Sequence, residues 1–321
     1  MAIKTVLDQQ VCLILDRINK KMQELGHPSL DVLTPEESRY FYKEARKFFI
    51  GIAIHDVFVK QEVIQCTGYD LPIRIYTPKG EGPFPVLLYF HGGGWVFGDL
   101  DSCDQICRYI SKHAECLVLS VGYRLSPENK YPAAIEDAIS SLSWTFNHIS
   151  SLNGRLDRVC VGGESSGGNI ATACALKWKE INNLPIHSQL LITPVTNHAC
   201  DTPSFQADYS YNLTKEKMVW FWSHYLKNEE EGFDQYASPL RAESLIGMPK
   251  TLLITAELDP LRDEGKLYAK RLQEQLIEVD YVNYPGLVHS FINMIGEAET
   301  AKRAVDDIVE RFRELIECEG E

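Results

Sequence analysis

The sequence predicts an α/β protein whose central, mostly parallel sheet is covered by helices on both faces. From Pro85 onward, short apolar segments alternate with helical ones, which is the pattern of parallel strands joined by helices. A serine flanked by glycines lies where one of these strands, Val159–Gly162, gives way to a helix. The 321 residues suit one large domain that carries an insertion.

Two helices and a hairpin precede the alternating region. Helical periodicity predicts one helix over residues 5–25 and another over 34–48. The second helix begins at Thr34, with Pro35 at the first helical position and acidic residues in the first turn. The next two segments, Ile52–Val59 and Leu71–Tyr76, alternate as the strands of a half-buried hairpin would.

The alternating region supplies the main sheet and its helices. The expected strands are Val86–Phe90, Leu117–Val121, Val159–Gly162, Gln189–Ile192, Thr251–Thr255 and Val279–Asn283. The expected helices are 103–113, 133–146, one directly after Ser165, and 261–276. Since these strands are largely apolar, both faces of the sheet must be covered, and helices above and below it do so.

A segment rich in aromatic residues interrupts the alternation. Residues 200–235 contain a helix near 218–226 that is too aromatic to be a plain connector. We expect this segment and the first fifty residues to form a mainly helical cap over the site. The expected division of the chain is residues 1–50 as the N-terminal part of the cap, 51–199 as the first part of the catalytic core, 200–235 as the cap insertion and 236–321 as the second part of the core.

Composition excludes several classes of function. The net charge of −13 and the isoelectric point near 5.2 argue against a nucleic acid or an anionic membrane as partner. Acidic residues interrupt the N-terminal segment where a signal peptide needs an apolar run, and no run suits a membrane helix. Nine scattered cysteines without a CxxC pair indicate neither a disulfide framework nor a zinc site. We therefore expect a cytoplasmic protein that needs no metal or organic cofactor, and the sequence leaves a homodimer open.

Ser165 is the candidate nucleophile. It lies in the string Gly163–Gly167, between an apolar strand and a helix. Side chains at Gly163 and Gly167 would collide with the neighbouring strand and helix at so sharp a turn, so glycine is needed at both positions. A second string, His91–Trp95, also follows an apolar strand, and its glycines bring backbone N–H groups close to a reacting oxygen. Together the two strings predict acyl transfer.

Five motifs give the chain a family resemblance. In order they are His91–Trp95, Tyr123–Glu128, Gly163–Asn169, Asp259–Gly265 and His289. With them, nearly the whole chain resembles the hormone-sensitive-lipase-like branch of the α/β-hydrolase superfamily, close to the bacterial short-chain carboxylesterases and acetyl esterases. The chain departs from that pattern at Glu164, Ser166 and Ser290, where the family more often has aspartate, alanine and glycine. The resemblance implies an α/β-hydrolase fold and ester hydrolysis.

The remaining triad members follow from chain order. A serine hydroxyl needs an imidazole to take its proton, and that imidazole needs a carboxylate to fix its tautomer. In this fold the order is serine, acid, histidine, and His289 is the only histidine after residue 224. Glu257, Asp259 and Asp263 compete for the acid. We favour Asp259, because it lies a few residues beyond the strand and Asp263 suits the first turn of a helix.

Supporting residues surround this predicted triad. The backbone N–H of Ser166, at a helix start, should point at the substrate oxyanion together with those of Gly93 and Gly94. The family resemblance implies the same three donors. We expect His91 to brace the glycine loop through its side chain. Glu164 is expected to anchor the turn at the nucleophile, and Gly92 belongs to the same supporting group.

The predicted activity is hydrolysis of short-chain carboxylic esters of small molecules through an acyl-enzyme. Phe41, Phe49, Trp220 and Trp222 belong either to the core of the cap or to the wall of an acyl pocket. A lipase acting on longer chains is the alternative, with an amidase or peptidase further behind. A non-catalytic receptor on the same fold would be expected to lose a triad member.

Overall fold

Eight strands form a single sheet in the computed structural model, which describes residues 6–181, 184–207 and 211–317. The strands are β1 Val57–Cys66, β2 Tyr69–Pro78, β3 Phe84–Phe90, β4 Leu117–Val121, β5 Gly154–Glu164, β6 Ser188–Ile192, β7 Lys250–Leu258 and β8 Val279–Val288. Their spatial order is β1-β2-β4-β3-β5-β6-β7-β8. The hairpin β1–β2 and the pair β2–β4 are antiparallel and all other pairs are parallel, which confirms the predicted sheet.

Helices cover both faces of this sheet. They are α1 Gln9–Glu24, α2 Pro35–Arg46, α3 Asp104–His113, α4 Ala133–His148, α5 Ser166–Ile181, α6 Pro203–Gln206, α7 Lys215–Tyr225, α8 Arg262–Glu274 and α9 Glu299–Glu317. One apolar cluster joins the sheet to α4, α5, α7 and α8, and a second joins its other face to α1, α3 and α9. The site therefore rests on a sheet that is packed from both sides.

The first helices confirm the local signals in the sequence. Thr34 caps α2 by accepting a hydrogen bond from the backbone N–H of Glu37, while the Glu37 carboxylate accepts from the backbone N–H of Thr34. Such a reciprocal pair satisfies two of the otherwise unbonded N–H groups at a helix start. Pro35 follows at the first helical position, as predicted.

The predicted first strand, Ile52–Val59, is wrong over its first half. The strand begins at Val57 and runs to Cys66. It ends there because Gly68, with a φ of 88°, completes a tight turn that pairs Cys66 with Tyr69. Ile52 instead donates its backbone N–H to the Gln105 side chain on α3, at 2.9 Å. The long C-terminal helix α9 lies outside the predicted elements.

The eight described cysteines are all free. Cys318, the ninth, lies outside the described residues. No helix in the described part of the chain combines the length and the apolar character that crossing a membrane demands.

Candidate active site

The sheet order brings the three predicted triad residues to one edge. Ser165 follows the end of β5, Asp259 the end of β7 and His289 the end of β8. Because these strands are parallel, their carboxyl ends meet at the same edge. Ser165 Oγ lies 2.9 Å from His289 Nε2, and His289 Nδ1 lies 2.7 Å from Asp259 Oδ2. The arrangement is that of a nucleophile, its base and an orienting carboxylate.

The turn at Ser165 is as sharp as the sequence predicts. Ser165 has a φ of 58°, in the left-handed region that few non-glycine residues adopt. A Cβ atom at Gly163 would lie 2.4 Å from the carbonyl carbon of Gly167, and one at Gly167 would lie 2.0 Å from the Phe90 oxygen. Only glycine fits at either position. The turn therefore holds the serine side chain away from the backbone of β5 and α5 and toward the histidine.

His289 and Asp259 form a buried, hydrogen-bonded pair. Burial alone would lower the pKa of His289, but the charge and hydrogen bond of Asp259, aided by Glu164, outweigh it and leave that pKa raised above 6.5. Asp259 is fully buried, and its second oxygen accepts the backbone N–H of Leu261 at 2.9 Å. The carboxylate is thus fixed in place on both oxygens and stabilises the protonated imidazole.

The two competing acids serve other contacts. Glu257 lies within β7 and accepts the backbone N–H of Gly286 at 3.0 Å. Asp263 lies in the first turn of α8, where it accepts the backbone N–H of Ser204 at 2.8 Å and pairs with Arg262. The structure therefore brings Asp259, and neither competitor, to the histidine.

Three backbone N–H groups are available beside Ser165. Within the described residues, no protein acceptor bonds the N–H of Gly93, Gly94 or Ser166. Ser166 is the first residue of α5, where the N–H has no partner inside the helix. Gly93 and Gly94 have φ values of 123° and 57°, and a Cβ on Gly94 would strike the Phe221 ring at 2.2 Å. Glycine is thus required where the backbone approaches the site.

His91 supports the glycine loop from beneath. Its Nδ1 lies 2.8 Å from the Gly92 carbonyl oxygen, and its ring stacks on Tyr123 with centroids 4.2 Å apart. The Tyr123 hydroxyl donates back to the His91 carbonyl at 2.9 Å. Burial lowers the pKa of His91 to about 4, so the ring is neutral at neutral pH. The His91 ring therefore contacts the glycine loop on one side and Tyr123 on the other.

Glu164 makes a contact that the sequence did not reveal. Its Oε1 accepts the Ser290 hydroxyl at 2.6 Å and lies 3.8 Å from His289 Nε2. Its Oε2 occupies the space beneath Gly92, where a Cβ would lie only 1.7 Å away. Ser290 has a φ of 61°, so this bond holds a strained residue directly after the histidine. Two departures from the family pattern therefore meet at one hydrogen bond.

A cavity of about 830 Å³ opens onto Ser165 and His289. Its outer wall comes from α1, α2 and α7, with aromatic side chains Phe41, Phe49, Trp220 and Phe221. Trp222 is not part of this wall, since it packs against Trp95 with ring centroids 4.5 Å apart. Three cations line the cavity, Arg46, Lys215 and Lys217, and none of them carried a signal in the sequence. Among the described residues, no cluster of three or more His, Cys, Asp or Glu side chains could hold a metal ion.

Arg39 on α2 ties the outer wall to the glycine loop. Its guanidinium donates to the backbone carbonyls of Val96 and Ser126, each at 2.8 Å, and forms two hydrogen bonds with the Glu128 carboxylate at 2.9 and 2.7 Å. Val96 and the loop residue Gly93 are joined by a backbone hydrogen bond of 3.1 Å. One side chain of α2 therefore contacts the loop next to Ser165.

Comparison with known proteins agrees with this geometry. A family model described as the alpha/beta hydrolase fold matches residues 87–293. A carboxylic ester hydrolase of Mycobacterium tuberculosis is 38% identical over 252 residues, which are 76% of this chain and 67% of that protein. An ethyl acetate hydrolase of Pseudomonas putida is 32% identical over 293 residues, 89% of this chain and 92% of that one.

Solved structures resemble the whole architecture. An ester hydrolase from the metagenome of Lake Arreo, complexed with a derivative of bipyridine phosphonate, has a TM-score of 0.91 at 31% identity, covering 96% of this chain and 99% of that one. The family model spans residues 87–293 and this structural match covers 96% of the chain, so the chain belongs to the α/β-hydrolase family, in its hormone-sensitive-lipase-like branch.

Proposed function

We propose that the protein is a serine carboxylesterase acting on short-chain esters, with Ser165, His289 and Asp259 as its catalytic triad. The observation that carries the proposal is the pair of hydrogen bonds running from Ser165 Oγ through His289 to Asp259 at the mouth of a cavity. The family supplies the reaction class, because its members named above are ester hydrolases.

In the proposed reaction, His289 Nε2 takes the hydroxyl proton as Ser165 Oγ attacks the ester carbonyl. The charge that develops on the carbonyl oxygen is stabilised by the N–H groups of Gly93, Gly94 and Ser166. His289 then gives its proton to the leaving alcohol, which leaves an acyl-enzyme. Water, deprotonated by the same imidazole, releases the acid and restores the serine.

Two observations support a preference for short acyl chains. The cavity is bounded by the rings of α2 and α7, so a long chain would meet a wall instead of an open apolar surface. A relative of similar length is named for ethyl acetate, an ester with a two-carbon acyl group. We expect kcat/KM to peak between acetyl and hexanoyl esters and to fall steeply by decanoyl, without activation at an oil–water interface.

We also propose that residues 1–50 and 200–235 act together as the cap of this site. Their helices α1, α2 and α7 supply the outer wall of the cavity. The cytoplasmic location remains an inference from the thiol content of the chain. Measuring the mass of the protein in solution tests whether it forms a homodimer.

The decisive experiment is covalent labelling with a phosphonate ester, followed by mass spectrometry. The adduct is expected on Ser165, and Ser165→Ala should lose both labelling and hydrolysis of 4-nitrophenyl butyrate, with an unchanged circular dichroism spectrum. An adduct on Ser166, which is the neighbouring serine, would contradict the assignment. Rapid hydrolysis by folded Ser165→Ala would contradict the mechanism as a whole.

A further inference from the structure

One lysine of the cap reaches into the cavity beside the histidine. Lys217 lies in the first turn of α7 and is half-buried. Its ammonium donates to the Asn212 carbonyl oxygen at 2.7 Å, while the Asn212 side-chain amide donates to the His289 carbonyl at 3.1 Å. A single residue thus connects this positive charge to the proposed base.

The charge of Lys217 has no counterion in the part of the chain that the structure describes. Within the described chain, no carboxylate lies within ion-pairing distance of its ammonium, and burial lowers the pKa of Lys217 with no carboxylate acting to raise it. The same charge acts to lower the pKa of both His27 and His289. A half-buried cation without a partner is costly in a cavity, where water screens it poorly.

The carboxylates of the cavity wall are directed elsewhere. Glu164 accepts the Ser290 hydroxyl. Asp31 accepts the hydroxyl of Ser29 and is exposed, as is Glu216. None of the three therefore neutralises the ammonium.

Another cation of the wall, Arg46, is engaged by the protein itself. Arg46 donates to the Asn293 side-chain oxygen at 3.2 Å and to the backbone carbonyl of Ser102, and its guanidinium lies 5.8 Å from the centre of the Tyr42 ring. These contacts hold Arg46 against the wall. Among the described residues the Lys217 ammonium has one contact, to a carbonyl, so it keeps N–H donors that are free to bind an anion.

We infer that the cavity selects esters that carry a carboxylate, which pairs with the ammonium of Lys217 as the ester group lies against Ser165. The inference rests on the proposed esterase function and names its substrate class. A carboxylate would give the ammonium the charge-assisted hydrogen bonds that it lacks, in a site where such bonds are stronger than in water. The carboxylate belongs either to the acyl part or to the alcohol part of the ester.

The test compares matched charged and neutral esters. Monoethyl succinate against ethyl pentanoate places the carboxylate in the acyl part, and butanoyloxyacetate against propyl butanoate places it in the alcohol part. For each pair, the ratio of kcat/KM values is measured by titrating the acid released. The ratio is expected to favour the charged ester in one of the two pairs and to fall with added salt, because screening weakens ion pairing.

Three variants assign the preference. Lys217→Met, which keeps the length of the side chain and removes the charge, should lower the favourable ratio about tenfold, as expected for the loss of a charge-assisted hydrogen bond. Lys217→Arg should retain most of it. Lys20→Met removes the same charge from an exposed site on α1 and should leave the ratio unchanged.

Two results would overturn the inference. In the first, the ratio is the same in Lys217→Met as in the native protein. In the second, kcat/KM falls equally for charged and neutral esters, which would make Lys217 a support for the Asn212–His289 contact only. Loss of all hydrolysis in the native protein would instead contradict the proposed function, so the two failures are distinguishable.

Discussion

The acidic side chains of Glu257, Asp259 and Asp263, near the end of β7, bond different partners, and on that ground we expect different effects on catalysis. Asp259 bonds His289, while Asp263 bonds the N–H of Ser204. Asp259→Asn is expected to lower kcat by about a thousandfold or more, because an amide cannot stabilise the imidazolium and favours the wrong tautomer. Asp263→Asn should change kcat by less than about tenfold. The measurement is the steady-state rate on 4-nitrophenyl butyrate; a severe loss in Asp263→Asn with a mild one in Asp259→Asn would reverse the assignment.

Glu164 gives the pH dependence a testable sign. Since kcat/KM requires neutral His289, activity falls as the pH drops through the pKa of that residue, which lies above its ordinary 6.5. The Glu164 charge is one of the causes that raise it. Glu164→Gln keeps an oxygen for the Ser290 hydroxyl but removes the charge, so the acidic limb of the kcat/KM profile should move to lower pH.

The matched control for that variant is Ser290→Ala. It removes the hydrogen bond of 2.6 Å and leaves the charge of Glu164 in place. We expect kcat/KM to fall about fivefold, for a loss of about 1 kcal/mol, with the acidic limb unmoved. The opposite result would be an acidic limb of the kcat/KM profile that shifts in Ser290→Ala and stays fixed in Glu164→Gln. It would show that the Ser290 hydrogen bond, and not the charge of Glu164, affects the pKa of His289.

Residues with a local signature could be found from the sequence, and residues defined by contact could not. Gly163 and Gly167 identify Ser165 in the sequence, because the turn excludes any side chain at those two positions. Chain order then restricts the choice of His289. The bond between Glu164 and Ser290 joins positions 126 residues apart, and only the folding of β5 and β8 into one sheet brings them together.

At the scale of elements, we expect α2 to limit the length of the acyl group that fits. Phe41 lies on the cavity wall, with its ring 4.5 Å from that of His27. Phe41→Ala should enlarge this end of the cavity and move the peak of kcat/KM toward acyl chains longer by about two methylene groups, each worth up to about 0.8 kcal/mol of binding. A series of 4-nitrophenyl esters from acetyl to decanoyl measures the shift.

Tyr40→Ala is the control for this change. Tyr40 precedes Phe41 on the same helix and is 55% exposed, so its removal deletes a ring of similar size outside the cavity. The chain-length profile of this variant should match that of the native protein. If Phe41→Ala also leaves the profile unchanged, α2 does not limit the acyl chain.

Element boundaries were predicted well where the chain marks them locally. The start of α2 carries a cap, a proline and acidic residues in one turn, and the helix begins there. The start of β1 has no such signal, because its register is fixed by pairing with β2 and by the turn at Gly68. Ile52 bonds Gln105 on α3, and Ile52 and Ile54 pack against the apolar cluster that includes α3. Alternation of apolar residues alone cannot distinguish such packing from a strand.

At the scale of the whole molecule, a buried acid makes stability depend on pH. Glu264 accepts the backbone N–H groups of Thr196 and Asn197 at 2.6 and 3.2 Å, and its other oxygen is buried without a hydrogen bond. Burial, only partly offset by those bonds, raises the pKa of Glu264 from 4.5 to about 8. Between these two values the native state holds a proton that the unfolded chain releases.

The free energy of unfolding should therefore decrease as the pH rises through this window. In Glu264→Gln, which is neutral at every pH, the decrease should be smaller by an amount on the order of a few kcal/mol. Urea denaturation at about pH 5 and about pH 8.5 measures both slopes. Equal slopes in the two proteins would mean that Glu264 is ionised in the native state across the window.

The guanidinium of Arg39 couples the position of α2 to that of the glycine loop. It joins the wall of the cavity to Val96, and Val96 is bonded to the loop that carries two of the proposed oxyanion donors. An outward movement of α2 to admit a bulky ester would break the hydrogen bond between Arg39 and Val96. The N–H groups of Gly93 and Gly94 would then be held less firmly. They would return to their positions when α2 moves back against the bound ester. We therefore expect the reaction to be favoured only when α2 lies close against the bound ester and the Arg39 hydrogen bonds are intact.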